Sequence, residues 1–162
     1  MSPIPGRVAR SEAADLDEIE EMLSHVEDET TLIFDVDNTL VPQGAQIGDF
    51  RAAVNAAIDR FEAHPRVGRV LVLTNGRQRG VPRLVSRANK PWTTRRRLAL
   101  PRGGAVWVVG DQVLTDGILA WRLQARFIQL VIDDHLEPED QARIRRRGRW
   151  LEPILFREGQ KR

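Results

Sequence analysis

The chain contains no cysteine. That absence excludes disulfides, thiolate zinc sites and cysteine nucleophiles together, and leaves hard, oxygen-ligated metals as the metal chemistry still open. The three histidines, His25, His64 and His135, show no metal-ligand spacing. No apolar run approaches the roughly 20 residues that cross a bilayer, and residues 1–10 lack the apolar core of a signal peptide. The expectation is a soluble, cytoplasmic protein. Lysine is scarce as well: Lys90 and Lys161 stand against 23 arginines. Because arginine does not deprotonate in practice, the pI is near 9.9 although the formal net charge is only +2.

With 162 residues, the chain has room for one compact domain and not for two ordinary ones. We read residues 1–162 as a single domain, with an N-terminal helical extension over 1–30 and a basic helix and tail over 137–162. Charge is unevenly spread. Residues 13–30 are acidic, whereas Arg95-Arg96-Arg97 and residues 143–149 are concentrated positive runs. Such runs suit phosphates, nucleic acid or anionic lipid, and serve equally as solvated faces.

Leu16, Ile19, Met22, Leu23 and Val26 recur at helical spacing, which predicts an amphipathic helix over 13–26. Thr31-Leu32-Ile33-Phe34 is a short, wholly apolar run that stops at Asp35, as a buried parallel strand does. Asp49 is placed to cap a helix whose inward face is Phe50, Val54, Ala57, Ile58 and Phe61. Further strands are predicted over 69–73, 105–109 and 127–132, with short helices over about 80–89 and 137–147. The alternation is that of an α/β protein with an open, doubly wound parallel sheet.

In such a sheet the carboxyl ends of the strands converge on one crevice. The residues brought there are Asp35 and Asp37, then Thr74 and Asn75, then Lys90 from a loop, then Asp111 with Asp116 five positions on. Four carboxylates without histidine or cysteine repel one another unless a hard divalent cation lies among them. Mg²⁺ fits, because it takes a few carboxylates and keeps the rest of its shell for water and phosphate oxygens. Of two carboxylates two residues apart, one can attack phosphorus while the other stands beside the departing oxygen, as nucleophile and as acid. Thr74, Asn75 and Lys90 supply the hydroxyl, amide and ammonium that compensate charge on a phosphoryl group. In a chain so dominated by arginine, the position of Lys90 is itself a pointer: a compact ammonium meets a phosphoryl oxygen and a carboxylate as a point charge.

Asp35-Val36-Asp37-Asn38-Thr39, Thr74-Asn75, Lys90-Pro91 and Gly110-Asp111-Gln112-Val113-Leu114-Thr115-Asp116 together resemble the four ordered motifs of the haloacid-dehalogenase (HAD) superfamily. Asp37 to Pro42 and Gly110 to Asp116 are similar to its subclass IIIA, YqeG-like branch, which includes phosphatidylglycerophosphate phosphatases. The resemblance spans about 33–132. It implies that Asp35 is the nucleophile and Asp37 the acid and base. It implies also that Thr74 and Lys90 hold the phosphoryl group, that Asp35, Asp111 and the carbonyl of Asp37 bind Mg²⁺, and that Asp116 supports Lys90 or a metal-bound water. The chain departs from that branch at Gly117 to Arg122 and at Asp133-Asp134, and these departures bear on the substrate.

Residues 40–70 have room for one helix and residues 76–89 for another, so neither stretch holds a cap domain. An open crevice suits a phosphate on something large, unless a second copy of the chain in a homo-oligomer supplies the lid. The leading expectation is a phospholipid monoester such as phosphatidylglycerophosphate at the inner face of a membrane, with the arginine-rich tail and Trp150, Leu151, Ile154, Leu155 and Phe156 as an interfacial anchor. The rivals are a phosphatase for nucleic-acid ends, nucleotides or another small ester, and a non-catalytic phosphate-binding module on the same scaffold.

Overall fold

The computed structural model describes residues 6–37, 39, 40, 47–75, 84, 85, 88–131 and 139–158. Seven strands form one sheet: β1 (Val8–Ala13), β2 (Thr30–Asp35), β3 (Val67–Leu73), β4 (Leu84–Val85), β5 (Ala105–Gly110), β6 (Arg126–Leu130) and β7 (Phe156–Glu158). Their order is β4-β3-β2-β5-β6-β1-β7, and every pairing is parallel. The helices are α1 (Leu16–Ser24), α2 (Ile47–Glu62), α3 (Ile118–Leu123), α4 (Glu139–Gly148) and α5 (Glu152–Leu155). A π-turn over Val113–Gly117 precedes α3, and a 3-10 turn over Arg149–Leu151 joins α4 to α5.

The sheet is apolar on both faces because helices cover both, which is why β2 reads as continuous apolar residues and not as an alternation. Leu32 and Phe34 of β2 face α1 and α2, where Ile19, Leu23, Phe50, Val54, Ile58 and Phe61 pack. Phe34 and Phe61 meet with ring centroids 4.9 Å apart. Ile33 faces the opposite layer, with Leu119 and Leu123 of α3, Leu98 and Leu100 of the preceding loop, and Leu155 and Phe156. Each fully buried side chain of this size is worth about 1.5–3 kcal/mol relative to exposure. The two connections that step toward β4, through α1 and α2, lie on one face. The step from β5 to β6, through α3, lies on the other. Reversing direction and face together keeps the crossovers right-handed, and the arrangement is compatible with a Rossmann-like fold.

Four expectations are corrected. Residues 8–13 are not part of a helical extension: they form β1, inserted between β6 and β7. Only half of their side chains are apolar, in no regular alternation, so no apolar pattern announces the strand; backbone pairing on both edges stabilises it instead, and α1 starts only at Leu16 after an Asp15 cap that accepts from Glu18 N–H at 2.9 Å. Residues 84 and 85, expected in a helix, pair with Val72 and Leu73 as an edge strand, the rest of that stretch lying partly outside the described residues. Asp49 lies inside the first turn of α2 and does not precede it, since the helix begins at Ile47. Finally, Leu155 and Phe156 are core residues. Phe156 stacks on Phe127 with centroids 5.3 Å apart, so only Trp150 and Ile154 of the expected anchor stay largely exposed.

Among the described residues no helix is long and apolar enough to cross a membrane.

Candidate active site

From β2 the chain moves outward through β3 to β4, then returns to the other side of β2 as β5. The carboxyl ends of β2 and β5 therefore flank the point where the winding reverses, the place where open α/β sheets bind ligands. Asp35 is the last residue of β2 and Asp111 the first after β5. Thr74, buried, is the first residue after β3. Three of the expected positions thus follow directly from strand ends.

Lys90 arrives from the loop after β4. Asn89, with φ 57°, takes the left-handed conformation that asparagine tolerates, and its carbonyl accepts from Trp92 N–H at 2.7 Å, closing a turn around Lys90. The side chain of Asn75 pins this turn: its Oδ1 accepts from Lys90 N–H at 2.7 Å and its Nδ2 donates to the Lys90 carbonyl at 3.1 Å. The sequence reading puts Asn75 at the phosphate. Its Oδ1 and one Nδ2 hydrogen engage the Lys90 backbone, so it also positions the lysine.

The Lys90 ammonium reaches between two carboxylates, bonding Asp35 Oδ1 and, at 2.8 Å, Asp116 Oδ1. Lys90 is 8% exposed, Asp116 1% and Asp111 4%. One carboxylate oxygen each of Asp35, Asp111 and Asp116 lie within 4.8 Å of one another. Asp37 is different. It lies two residues past the end of β2 and is exposed. Between them Val36 is buried, and the chain turns back on it, with Thr39 and Leu40 N–H groups donating to the Val36 carbonyl at 3.2 and 3.0 Å. Thr39 is itself buried, and its Oγ1 has no hydrogen-bond partner among the described residues. Asn38 lies outside them.

Burial sets the electrostatics of this group. Desolvation, reinforced by the Asp116 charge and opposed by Lys90, pushes the Asp35 carboxyl up to about 8. Burial alone would lower Lys90, but the two carboxylates more than offset it and hold the ammonium above its ordinary range. The lysine is charged, and added positive charge would favour the ionised form of Asp35. Lys90 sets one positive charge between two of the three clustered carboxylates, an arrangement that a divalent cation could join. The donors are all carboxylate oxygen, as a hard cation requires. Asp35, Asp111 and Asp116 are the carboxylates that could hold such a cation.

Two further residues build the site. Asp116 sits in the π-turn, where Asp116 and Gly117 N–H groups both donate to the Gln112 carbonyl, at 2.9 and 3.1 Å. This wider turn brings the Asp116 carboxyl back over the end of β5, into the space a Cβ on Gly110 would occupy. Gly110→Ala is therefore expected to push Asp116 off Lys90, lowering stability by about 1–3 kcal/mol and activity with it; a variant with unchanged melting and turnover would show that the approach is not needed. The other residue is Gln129 in β6, buried, donating through Nε2 to the Asp111 carbonyl at 3.3 Å. Its Oε1 accepts from Arg10 Nη2 at 2.6 Å, and Arg10 also pairs with Glu152 at 2.8 Å. One polar residue within the apolar run Phe127-Ile128-Gln129-Leu130 is the only trace of this role in the sequence.

Comparison with protein families, with curated proteins and with solved structures found no match for this chain.

Proposed function

We propose that this protein is a Mg²⁺-dependent phosphomonoesterase of the HAD type that works through an aspartyl-phosphate on Asp35. The observation that carries the reading is the buried ammonium of Lys90 bridging Asp35 and Asp116 beside Asp111, at the reversal point of the sheet. A purely structural ion pair needs one carboxylate per lysine; a lysine shared by two carboxylates, with a third within 4.8 Å, suits a site that takes up a cation and a phosphoryl group. The four resembling motifs supply the same residues in the same order.

In this scheme an Asp35 oxygen attacks phosphorus and the bond from phosphorus to the leaving oxygen breaks. Asp37, exposed at the end of β2, gives its proton to the departing alkoxide. As a carboxylate it then takes a proton from water, whose oxygen attacks the acyl phosphate and releases inorganic phosphate and free Asp35. Thr74 and Lys90 hold the equatorial oxygens, and Asn75 and Asp116 hold Lys90. A bound Mg²⁺, on Asp35, Asp111 and the Asp37 carbonyl, would compensate charge on the phosphoryl oxygens.

Residues 36–46 and 74–83 are the stretches available for a cap, and each is far below the about 40 residues that a free-standing fold requires. An open crevice favours a phosphate on a large carrier, with phosphatidylglycerophosphate as the leading substrate. The test is Mg²⁺-dependent phosphate release from that lipid in mixed micelles, beside nucleotides, sugar phosphates and phosphorylated DNA ends. Preference for the lipid supports the full reading. Release only from soluble or nucleic-acid esters keeps the chemistry and overturns the substrate. Silence on every ester, with phosphate still bound, would leave a binding module.

The raised Asp35 also ties stability to pH. Its folded value of about 8 lies above the ordinary 3.8, so between those values the folded state holds the extra proton. Stability of the metal-free protein should fall as pH rises from about 4 to about 8, and level off above. Mg²⁺ should raise the melting temperature little at about pH 5 and most at about pH 8, where the Asp35 carboxyl ionises. Thermal melts at both pH values with and without Mg²⁺ check this, and a Mg²⁺ effect independent of pH would rule out Asp35 as its ligand.

A further inference from the structure

Residues 139–155 run as an uninterrupted helical path through α4, the 3-10 turn and α5. Within it Arg143, Arg147, Trp150 and Ile154 follow one another at spacings of four, three and four, which places them on one stripe. All four are exposed, Trp150 at 66% and Ile154 at 56%. Arg146 and Arg149 are exposed beside them, whereas Gly148 and Leu155 face inward. Large apolar side chains are here interleaved with arginine on the outermost surface of the protein.

Two observations say what covers such a stripe. The first is charge. α1 carries Asp17, Glu18, Glu20 and Glu21 on one face of the sheet, partly offset by Arg60. The basic helix packs on the opposite face, where Gly148 lies so close to Val113 that a Cβ in its place would stand 3.0 Å from the valine, and Leu151 joins the core. A molecule polarised in this way turns its basic face toward an extended anionic surface. The second is composition. A nucleic-acid backbone offers the arginines phosphates but gives Ile154 nothing apolar to enter, whereas the headgroup boundary of a bilayer accepts guanidinium, indole and aliphatic groups at successive depths.

We propose that this stripe docks the protein onto an anionic lipid bilayer. The helix that carries it packs on the π-turn containing Asp116, so docking would hold the scaffold of the site against the lipid surface. Docking supplies the surface for the lipid form of the phosphatase reading and rests on that reading only for this consequence; binding itself is measured without turnover.

The experiment is co-flotation of the full chain with vesicles of phosphatidylcholine alone and of phosphatidylcholine with phosphatidylglycerol, at low and high salt, beside duplex and single-stranded DNA. The wild type is expected to float with the anionic vesicles at low salt and to lose most of that binding at high salt. Arg147→Glu should weaken it about tenfold or more, and Trp150→Ala several-fold at either salt concentration. Both positions are exposed, and unchanged melting temperatures would show that the variants are folded. Failure to bind anionic vesicles at low salt overturns the proposal. So does binding to DNA that Arg147→Glu abolishes and Trp150→Ala leaves intact. Phosphate release that persists while flotation fails would separate loss of docking from loss of the phosphatase reading.

Discussion

Asp35→Asn is expected to abolish phosphate release, by about 10⁴-fold or more, and at the same time to raise the melting temperature of the metal-free protein at about pH 8. Both effects come from one atom. The carboxylate proposed as the nucleophile lies beside Asp116 with the Lys90 ammonium between them, and desolvation, reinforced by the Asp116 charge, raises its pKa. An amide keeps the shape and still accepts from Lys90, but carries no charge to desolvate or repel. With coupling to Lys90 discounted, the gain is about 2 kcal/mol, or about 4–8 °C in a chain of this length. Below about pH 4 the carboxyl is protonated in the folded and unfolded chain alike, and the two proteins should melt together. Full turnover in the variant would place the nucleophile elsewhere. Equal melting at both pH values would mean that the site carries no electrostatic strain.

That strain is of a kind that sequence reasoning reaches only in part. The strand ends were legible because a fully apolar run must be buried on both faces, and a polar residue where it stops must lie at an edge of the sheet: Asp35, Thr74 and Asp111 follow from that alone. Phe50, Val54, Ile58 and Phe61 were legible from a period of 3.6. β1 was not, because Val8-Ala9-Arg10-Ser11-Glu12-Ala13 has neither an apolar run nor a clean alternation, and its place depends on partners more than a hundred residues distant. The division of labour among the polar residues was also out of reach. Asn75 and Thr74 are adjacent, yet one holds a loop backbone while the other is buried at the strand end, a distinction set by where residues 88–92 return. The role of Gly110 depends on the π-turn, whose extra residue per turn leaves no periodic signature over five positions. In the tail, Trp150 and Phe156 look alike as aromatic residues after a basic helix; only the pairing of β7 with β1 buries one and leaves the other in solvent.

Lys90→Met should have the largest effect on folding. The substitution preserves the length and apolar stem of the side chain, so the Asn75 clamp on its backbone is kept and the packing changes little. What it removes is the only cation among the described residues that touches Asp35 and Asp116. Leaving buried carboxylates without their partner costs about 3–5 kcal/mol, which lowers the melting temperature by about 6–20 °C, and the deficit should grow with pH as the Asp35 carboxyl is driven to ionise. Activity should fall by about 10²-fold or more, because the phosphoryl oxygens lose a charge-assisted donor. A second substitution separates the two losses. Lys90→Met combined with Asp116→Asn removes one of the stranded charges and should recover much of the stability, while turnover stays low because neither change restores the ammonium. The cycle of four proteins, melted at about pH 5 and about pH 8, then reports the coupling between the lysine and Asp116 directly. Additive effects would mean that Lys90 and Asp116 act independently. Recovery of activity in the double variant would mean that the lysine serves only to neutralise Asp116, and that the phosphoryl group is held by other residues.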